Sequence, residues 1–554
     1  MPAVRLLHFF LLIVVAAVLT LPVLAVVGAW AGYDAESAQI LREMAATVLP
    51  EYTGATLALA LMAGVGVIAV GVPAALLVTV FDFPGRRSFE WLLLLPLAMP
   101  AYVTAYAYTD FLQFSGPLQT WLRATFGLEG RLLPEVRSLW GAAWVFSFSL
   151  YPYVYLLART ALAERAPQLM EAARLLGAPL GRRLREVALP LARPAVAAGA
   201  ALALMEVLAD FGVVSYFGVQ TFTAGIYKAW LAMDNRIAAA QLATMLLALV
   251  VALLWLEQRA QRRMRFAGTQ TARASSADAQ PVRLAGRRAA LAWALCLAPV
   301  LAGFALPVLF MLRPLVADWE SLPWMHFVNW AWNSIRLGAV TAGLALLAAL
   351  FLAYGARRLP GPLTRGVMQL ASLGYAVPGA VIVVGLLLPV GWAQGVWPGA
   401  GYLVTATVMG LVWAYLVRFI AVALQSVQSG YARLPLSLDE SARLLGARGP
   451  ALLARVHWPL LRRACVAAAL LVFVDVMKEL PATLVLRPFN ANTLAVEAYN
   501  RARDERLGEA ALPSLALVGV GLIPVILLSR TLRASRPGQR SGKGDGPGRK
   551  GRAA

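Results

Sequence analysis

The sequence predicts an all-α membrane protein with about 12 transmembrane helices, arranged as two parallel six-helix repeats. Three observations carry this expectation. The chain of 554 residues is 60% hydrophobic and 14% charged, with a mean hydropathy of +0.69, whereas soluble domains are near 45–50% apolar and about 25% charged. Apolar stretches recur near 6–30, 57–80, 91–112, 139–157, 194–217 and 237–256, and again near 289–312, 337–354, 367–390, 401–424, 464–486 and 511–528. A spanning helix needs roughly 20 such residues. Finally, Glu171-Ala-Ala-Arg-Leu-Leu-Gly177 returns as Glu440-Ser-Ala-Arg-Leu-Leu-Gly446, at an offset of 269 residues.

The first stretch, Leu6 to Trp30, follows Arg5. It is longer than the apolar core of about 7–15 residues in a signal peptide, so it reads as a retained span, with Ala29-Trp30-Ala31 as an alternative cleavage site. Pro73, Pro96, Pro100, Pro152 and Pro378 fall inside later stretches, where neighbouring helices can satisfy the freed carbonyls. The net charge of +21 sits in short loops beside apolar runs, which favours topology and anionic lipid over nucleic acid. Cys296 and Cys465 lie in or at apolar spans and His8, His326 and His457 are scattered. No disulfide framework, metal cluster or H-E-x-x-H signature follows from them.

Alternate loops are basic: Asp82–Arg87, the surroundings of Glu171, 257–288, Arg357-Arg358, the surroundings of Glu440, and the tail after Arg530. The segment 31–55 instead carries Asp34, Glu36, Glu43 and Glu51 against one arginine. The positive-inside rule then places both termini and both repeated motifs in the cytoplasm.

The repeat divides the chain into a first half at 1–257, a linker at 258–288, a second half at 289–530 and a basic tail at 531–554. Phe83-Pro84-Gly85 answers Leu359-Pro360-Gly361, and Pro100 answers Pro378. An even number of spans per half makes the repeats parallel, related by an axis along the membrane normal. The linker and the tail, poor in apolar residues, read as flexible.

The central motifs lie in loops near 164–190 and 433–459. Gly177 and Gly446 suit a left-handed helix C-terminus, and Pro179 and Pro450 suit the first turn of a following helix. Arg182, Arg183 and Arg185 line that second helix in the first copy, against Arg455 alone in the second. Leu189-Pro190 and Trp458-Pro459 are expected to reset the chain before the next span. Two basic amphipathic loops lying on lipid are the alternative. Lipid binding does not demand equal spacing, so docking to protein is the stronger reading.

Intramembrane charge points to function, because it costs roughly 2.5–3.5 kcal/mol per residue on insertion scales. Glu206 and Asp210 stand four apart and so share one helix face. Asp475 and Glu479 repeat them at the same offset of 269. Tyr102, Tyr106 and Tyr108 add possible oxygen donors. The alternative is that these groups tie helices together or contact a partner, with Lys478 partly neutralising Asp475 or Glu479.

Both central motifs resemble the Glu-Ala-Ala loop of ABC importer membrane subunits, and the resemblance spans nearly the whole chain in the form where one polypeptide supplies both halves. Ser441 and Trp458 are mild departures. Phe81–Arg87, Leu95–Tyr102, Glu206–Phe217 and Lys478–Leu484 are similar to the ferric-iron ABC permeases, to which the fused thiamine permeases are related. The resemblance implies a type I ABC importer permease fold in a bacterial inner membrane. It assigns ATPase coupling to Glu171, Ala173, Arg174, Gly177 and Pro190, and to Glu440, Ala442, Arg443, Gly446 and Pro459. It implies two copies of a cytoplasmic ABC ATPase that bind ATP-Mg, a periplasmic ferric-iron-type binding protein, and no covalent chemistry or cofactor in this chain. The nearest approach to a P-loop, Gly538-Gln-Arg-Ser-Gly542-Lys543-Gly544, is one residue short and lacks the Ser/Thr. Ferric ion is hard and prefers oxygen, so Glu206, Asp210, Asp475, Glu479, Tyr102 and Tyr106 become the expected translocation path. A secondary transporter with parallel repeats remains the rival of another class.

Overall fold

The computed structural model describes residues 2–32, 35–266, 282–447 and 450–534, which are almost entirely helical. The exception is a two-residue parallel pairing of Phe81–Asp82 with Val282–Arg283. Among the described residues nine helices are long and apolar enough to cross a bilayer, or eleven if each of two bent pairs is one span. The expected all-α membrane fold is present, and the expected spans depart from single continuous helices in two ways.

First, the stretches 91–112 and 367–390 are not straight. Arg86–Ala98 meets Ala101–Phe126 at 88°, and Pro362–Ala376 meets Gly379–Gln394 at 116°. The bends fall at Pro100 and Pro378. A proline drives the residue before it out of the helical region, and Met99 and Val377 are extended, with ψ of 123° and 119°. Second, the stretches 194–217 and 464–486 break near their far ends. The helices Leu189–Ala209 and Trp458–Lys478 stop there, and short helices Gly212–Phe217 and Pro481–Leu486 follow. Trp458–Lys478 carries Arg462, Arg463, Asp475 and Lys478 and is not among the nine.

The repeat is visible in packing. Leu49–Val80, Leu139–Leu175 and Leu189–Ala209 pack mutually in the first half, as do Trp324–Arg358, Val408–Tyr431 and Trp458–Lys478 in the second. Small residues permit close approach: a Cβ on Gly199 would lie 2.7 Å from the Cα of Val154. The first helix of each half packs on the other half. Pro2–Gly28 lies along Pro362–Ala371 and Gly379–Gln394, and the indole of Trp413 donates to the carbonyl of Val18 at 3.0 Å. Gly286–Val300 lies against Leu49–Val80 and Arg86–Leu92, with Trp293 edge-on to Phe89. The halves are continuous in sequence but exchange their leading helices in space.

The expected linker at 258–288 is helical where it begins and where it ends. The helix Arg236–Phe266 extends into it, and Gly286 opens the next helix. Residues 267–281 of the expected linker and 535–554 of the expected tail lie outside the described residues.

Candidate translocation cavity and coupling surfaces

The two helix breaks build a cavity. Asp210 and Glu479 both leave the helical region, with ψ of 135° and 122°. Each then accepts the free N–H groups of the short helix that follows. Asp210 Oδ1 accepts from the amide of Val213 at 2.8 Å. Glu479 accepts from the amides of Ala482 at 2.8 Å and Thr483 at 3.0 Å, and from the Thr483 hydroxyl at 2.6 Å. Short acidic side chains compete with the helix for exactly such backbone donors. Asp210 and Glu479 therefore do not continue the helix face of Glu206 and Asp475, as their spacing suggested. They end it.

All four carboxylates nonetheless line one cavity of about 220 Å³, with Tyr102, Tyr153, Tyr375, Arg418 and Lys478 from both halves. The roles divide. Glu479 is paired with Arg418 at 3.1 Å, deep in the protein. Lys478 Nζ donates to the carbonyl of Leu97 at 3.0 Å. Glu206 and Asp475 are half-buried and, among the described residues, make no hydrogen bond or salt bridge. They occupy the same position in the two repeats and lie within electrostatic range of each other. Four carboxylates against Arg418 and Lys478 leave the lining with a formal excess of two negative charges. The carboxylates do not converge: among the described residues no three His, Cys, Asp or Glu side chains are placed to hold a metal ion.

Of the three tyrosines expected from the sequence, Tyr102 lines the cavity and Tyr106 and Tyr108 do not; the Tyr102 hydroxyl donates to the carbonyl of Lys478 at 3.2 Å. Tyr106 is fully buried, wedged between the rings of Tyr102 and Tyr216, and its hydroxyl has no partner among the described residues. It is a packing residue here. Tyr108 donates away from the cavity, to the carbonyl of Ala302 at 2.7 Å. The sequence reading missed Arg418, Tyr153 and Tyr375. Arg418 had a readable signal, an arginine inside the apolar run 401–424.

The repeated motifs share a backbone shape. Gly177 and Gly446 have φ of +81° and +88°. The amides of Gly177 and Ala178 bond to the carbonyls of Arg174 and Ala173, both at 2.9 Å. Gly446 and Ala447 bond to Arg443 and Ala442 at 3.0 and 2.9 Å. These are Schellman endings, which need a left-handed residue. They thrust out Leu175 and Leu176, 79% and 88% exposed, and Leu444 and Leu445, 89% and 88% exposed. Glu171 pairs with Arg174 at 2.6 Å, whereas Glu440 and Arg443 are exposed and unpaired among the described residues. Ala173 is half-buried and Ala442 buried, each beneath its glycine turn.

Pro190 and Pro459 do not reset the chain. Each is preceded by a π-helical turn, Leu184–Ala188 and Leu453–His457, and the helix runs on through the proline. A proline removes one amide and crowds the carbonyl four residues back. The wider turn relieves both. Pro179 caps Leu180–Arg183 rather than sitting in its first turn, while Pro450 does open its helix.

The approach to the motifs differs. Leu139–Leu175 runs unbroken from the membrane into the first motif. In the second half the helix ends at Tyr431, and a separate helix, Leu436–Leu444, carries the motif. Beneath it Arg357 grips Asp439 through two bonds of 2.8 and 3.0 Å. Burial alone would raise the Asp439 carboxyl, but hydrogen bonds from Arg357 and His457, with the Arg357 charge, outweigh it and hold the group below its usual value.

Residues 68–266 match the family described as the binding-protein-dependent transport system inner membrane component. The Fe(3+)-transport system permease protein FbpB 2 of Haemophilus influenzae is 25% identical over 490 residues, spanning 87% of this chain and 90% of that one. The sulfate transport system permease protein CysT of Escherichia coli is 32% identical over 147 residues, spanning 26% of this chain and 50% of that one. The putative molybdenum transport system permease protein YvgM of Bacillus subtilis is 25% identical over 209 residues, 36% of this chain and 88% of that one. Residues 68–266 thus carry that family's match, and with the paired motifs, the twofold packing and the full-length similarity to a permease the chain is a multi-pass ABC importer permease.

Proposed function

We propose that this permease carries ferric iron into the cytoplasm. Both termini and both motifs face the cytoplasm, where two copies of an ATPase dock on Leu175-Leu176 and Leu444-Leu445. A periplasmic binding protein delivers the ion. The observation that carries the cargo assignment is the unpaired couple Glu206 and Asp475 in a cavity with an excess of negative charge. An oxyanion such as the sulfate named for one relative would meet repulsion there, since the guanidinium of Arg418 is already committed to Glu479.

Movement reaches the cavity through unbroken helix. The Leu139–Leu175 helix links the first motif to Tyr153, and the helices after the two π-turns carry Glu206 and Asp475. At 1.5 Å per residue, Glu206 lies roughly 25 Å along the helix from Leu189, in the outer half of a bilayer whose apolar core is about 30 Å. That is where an incoming ion would first meet the protein. Carboxylates that do not converge suit transit, because a tight site would retain a trivalent ion.

A second reading, thiamine or a similar organic cation, draws on Tyr102, Tyr153 and Tyr375, whose rings suit a cation. The test is uptake into proteoliposomes holding the permease, its ATPase and its binding protein. Labelled ferric iron should accumulate with ATP, and excess sulfate, molybdate or thiamine should not compete. Accumulation of one of those solutes instead of iron overturns the assignment, and accumulation driven by a proton gradient without ATP favours the secondary transporter.

A further inference from the structure

The two coupling elements share a backbone but not an anchor. In the second, the guanidinium of Arg357 donates to both oxygens of Asp439 at 2.8 and 3.0 Å. It also donates to the carbonyls of Tyr431 at 3.3 Å, Leu434 at 3.0 Å and Pro435 at 3.0 Å. One side chain on the Trp324–Arg358 helix thus gathers the loop after the Val408–Tyr431 helix and the motif helix Leu436–Leu444. His457, wholly buried in the π-turn, extends the network: Nε2 lies 3.0 Å from Asp439 Oδ1, and Nδ1 lies 3.2 Å from the Tyr431 hydroxyl. One tautomer satisfies every partner, with Nε2–H donating to the carboxylate and Nδ1 accepting from the hydroxyl.

The first repeat holds Leu162, Met170 and Ala188 at the positions offset by 269 from Tyr431, Asp439 and His457. All three are buried in one apolar cluster. Apolar contacts are non-directional and let surfaces slide. A bidentate charge pair with a buried histidine fixes orientation.

We infer that the Arg357–Asp439–His457–Tyr431 network is the stiff link through which the second coupling helix moves the cavity, so the two ATPase docking points are mechanically unequal. His457 is followed at once by the Trp458–Lys478 helix, which carries Asp475 and Lys478 to the cavity. The inference rests on the docking reading above. These four side chains are positioning residues that touch neither ATPase nor cargo.

The test uses the full chain with its ATPase and binding protein in proteoliposomes. Three variants are compared: Asp439→Asn, the double variant Arg357→Gln with Asp439→Asn, and Met170→Ala in the first repeat. The double variant leaves no unpaired charge, so it separates folding from transmission. Both second-repeat variants should retain the ATPase at the wild-type ratio while binding-protein-stimulated hydrolysis and transport fall about tenfold. Met170→Ala should leave stimulation near the wild-type level. A stable double variant with normal stimulation, or a Met170→Ala variant as impaired as Asp439→Asn, overturns the inference. Failure of the wild-type chain itself to retain an ATPase would sink the docking reading, and this inference with it.

Discussion

The two halves of this permease break, bend and turn at matching positions, yet they secure those features differently. In the first half Asp210 ends its helix with one bond to the Val213 amide, and the repeated motif rests on apolar side chains. In the second half Glu479 ends the equivalent helix with three bonds to the next helix plus Arg418, and the motif rests on Arg357, Asp439 and His457. Backbone shape repeats because glycines, prolines and capping carboxylates recur. Chemistry diverges because position 149 is serine where position 418 is arginine, and position 170 is methionine where position 439 is aspartate. A duplicated fold therefore does not imply duplicated mechanics.

The comparison predicts unequal sensitivity to charge removal. Glu479→Gln leaves Arg418 without its buried counter-charge, and such a loss costs roughly 3–5 kcal/mol. Asp210→Asn keeps an acceptor for the Val213 amide, and a cap exchange of this kind costs about 1 kcal/mol or less. Thermal unfolding of the detergent-solubilised chain should fall much further for Glu479→Gln. Equal shifts would show that the halves are secured alike.

At the motif glycines the halves should instead behave alike. A β-branched residue at φ near +80° is strained by about 1–3 kcal/mol, so Gly177→Val and Gly446→Val should each displace their leucine pairs and lower ATPase retention. Normal retention in the variant carrying both changes would remove the docking role of the turns.

The smallest effect expected is that of pH. Asp439 is held below its ordinary value of 3.8, so its contribution is present above that pH and lost only as pH falls through the lower folded value. Amide protection of residues 436–444, corrected for intrinsic exchange, should hold between pH 8 and pH 5. Loss of protection in that window would show that the link titrates and is not a fixed strut.

Much of this was legible in the sequence because it depended on local rules. Repeat spacing located both motifs, and Leu-Leu-Gly announced the left-handed turns. Intramembrane carboxylates marked the cavity wall. What the sequence hid was competition between local rules and tertiary partners. Periodicity placed Asp210 on a helix that its own side chain ends, and hydropathy drew straight spans where Pro100 and Pro378 bend the chain. The exchange of leading helices and the Arg357–Asp439 grip join residues 82 or more positions apart, and no local pattern encodes them. Tyr106 was misplaced for the same reason, since ring packing against Tyr216 decides where its hydroxyl lies.

The central claim is that Glu206 and Asp475, the unpaired couple, receive the cation. Glu206→Gln with Asp475→Asn preserves size and hydrogen-bonding capacity while removing both charges. ATP-driven uptake of labelled ferric iron, normalised to assembled complex in proteoliposomes, measures this directly. The account predicts a stable complex with normal basal ATP hydrolysis and a steep loss of iron uptake. Wild-type uptake in a stably assembled double variant would contradict it.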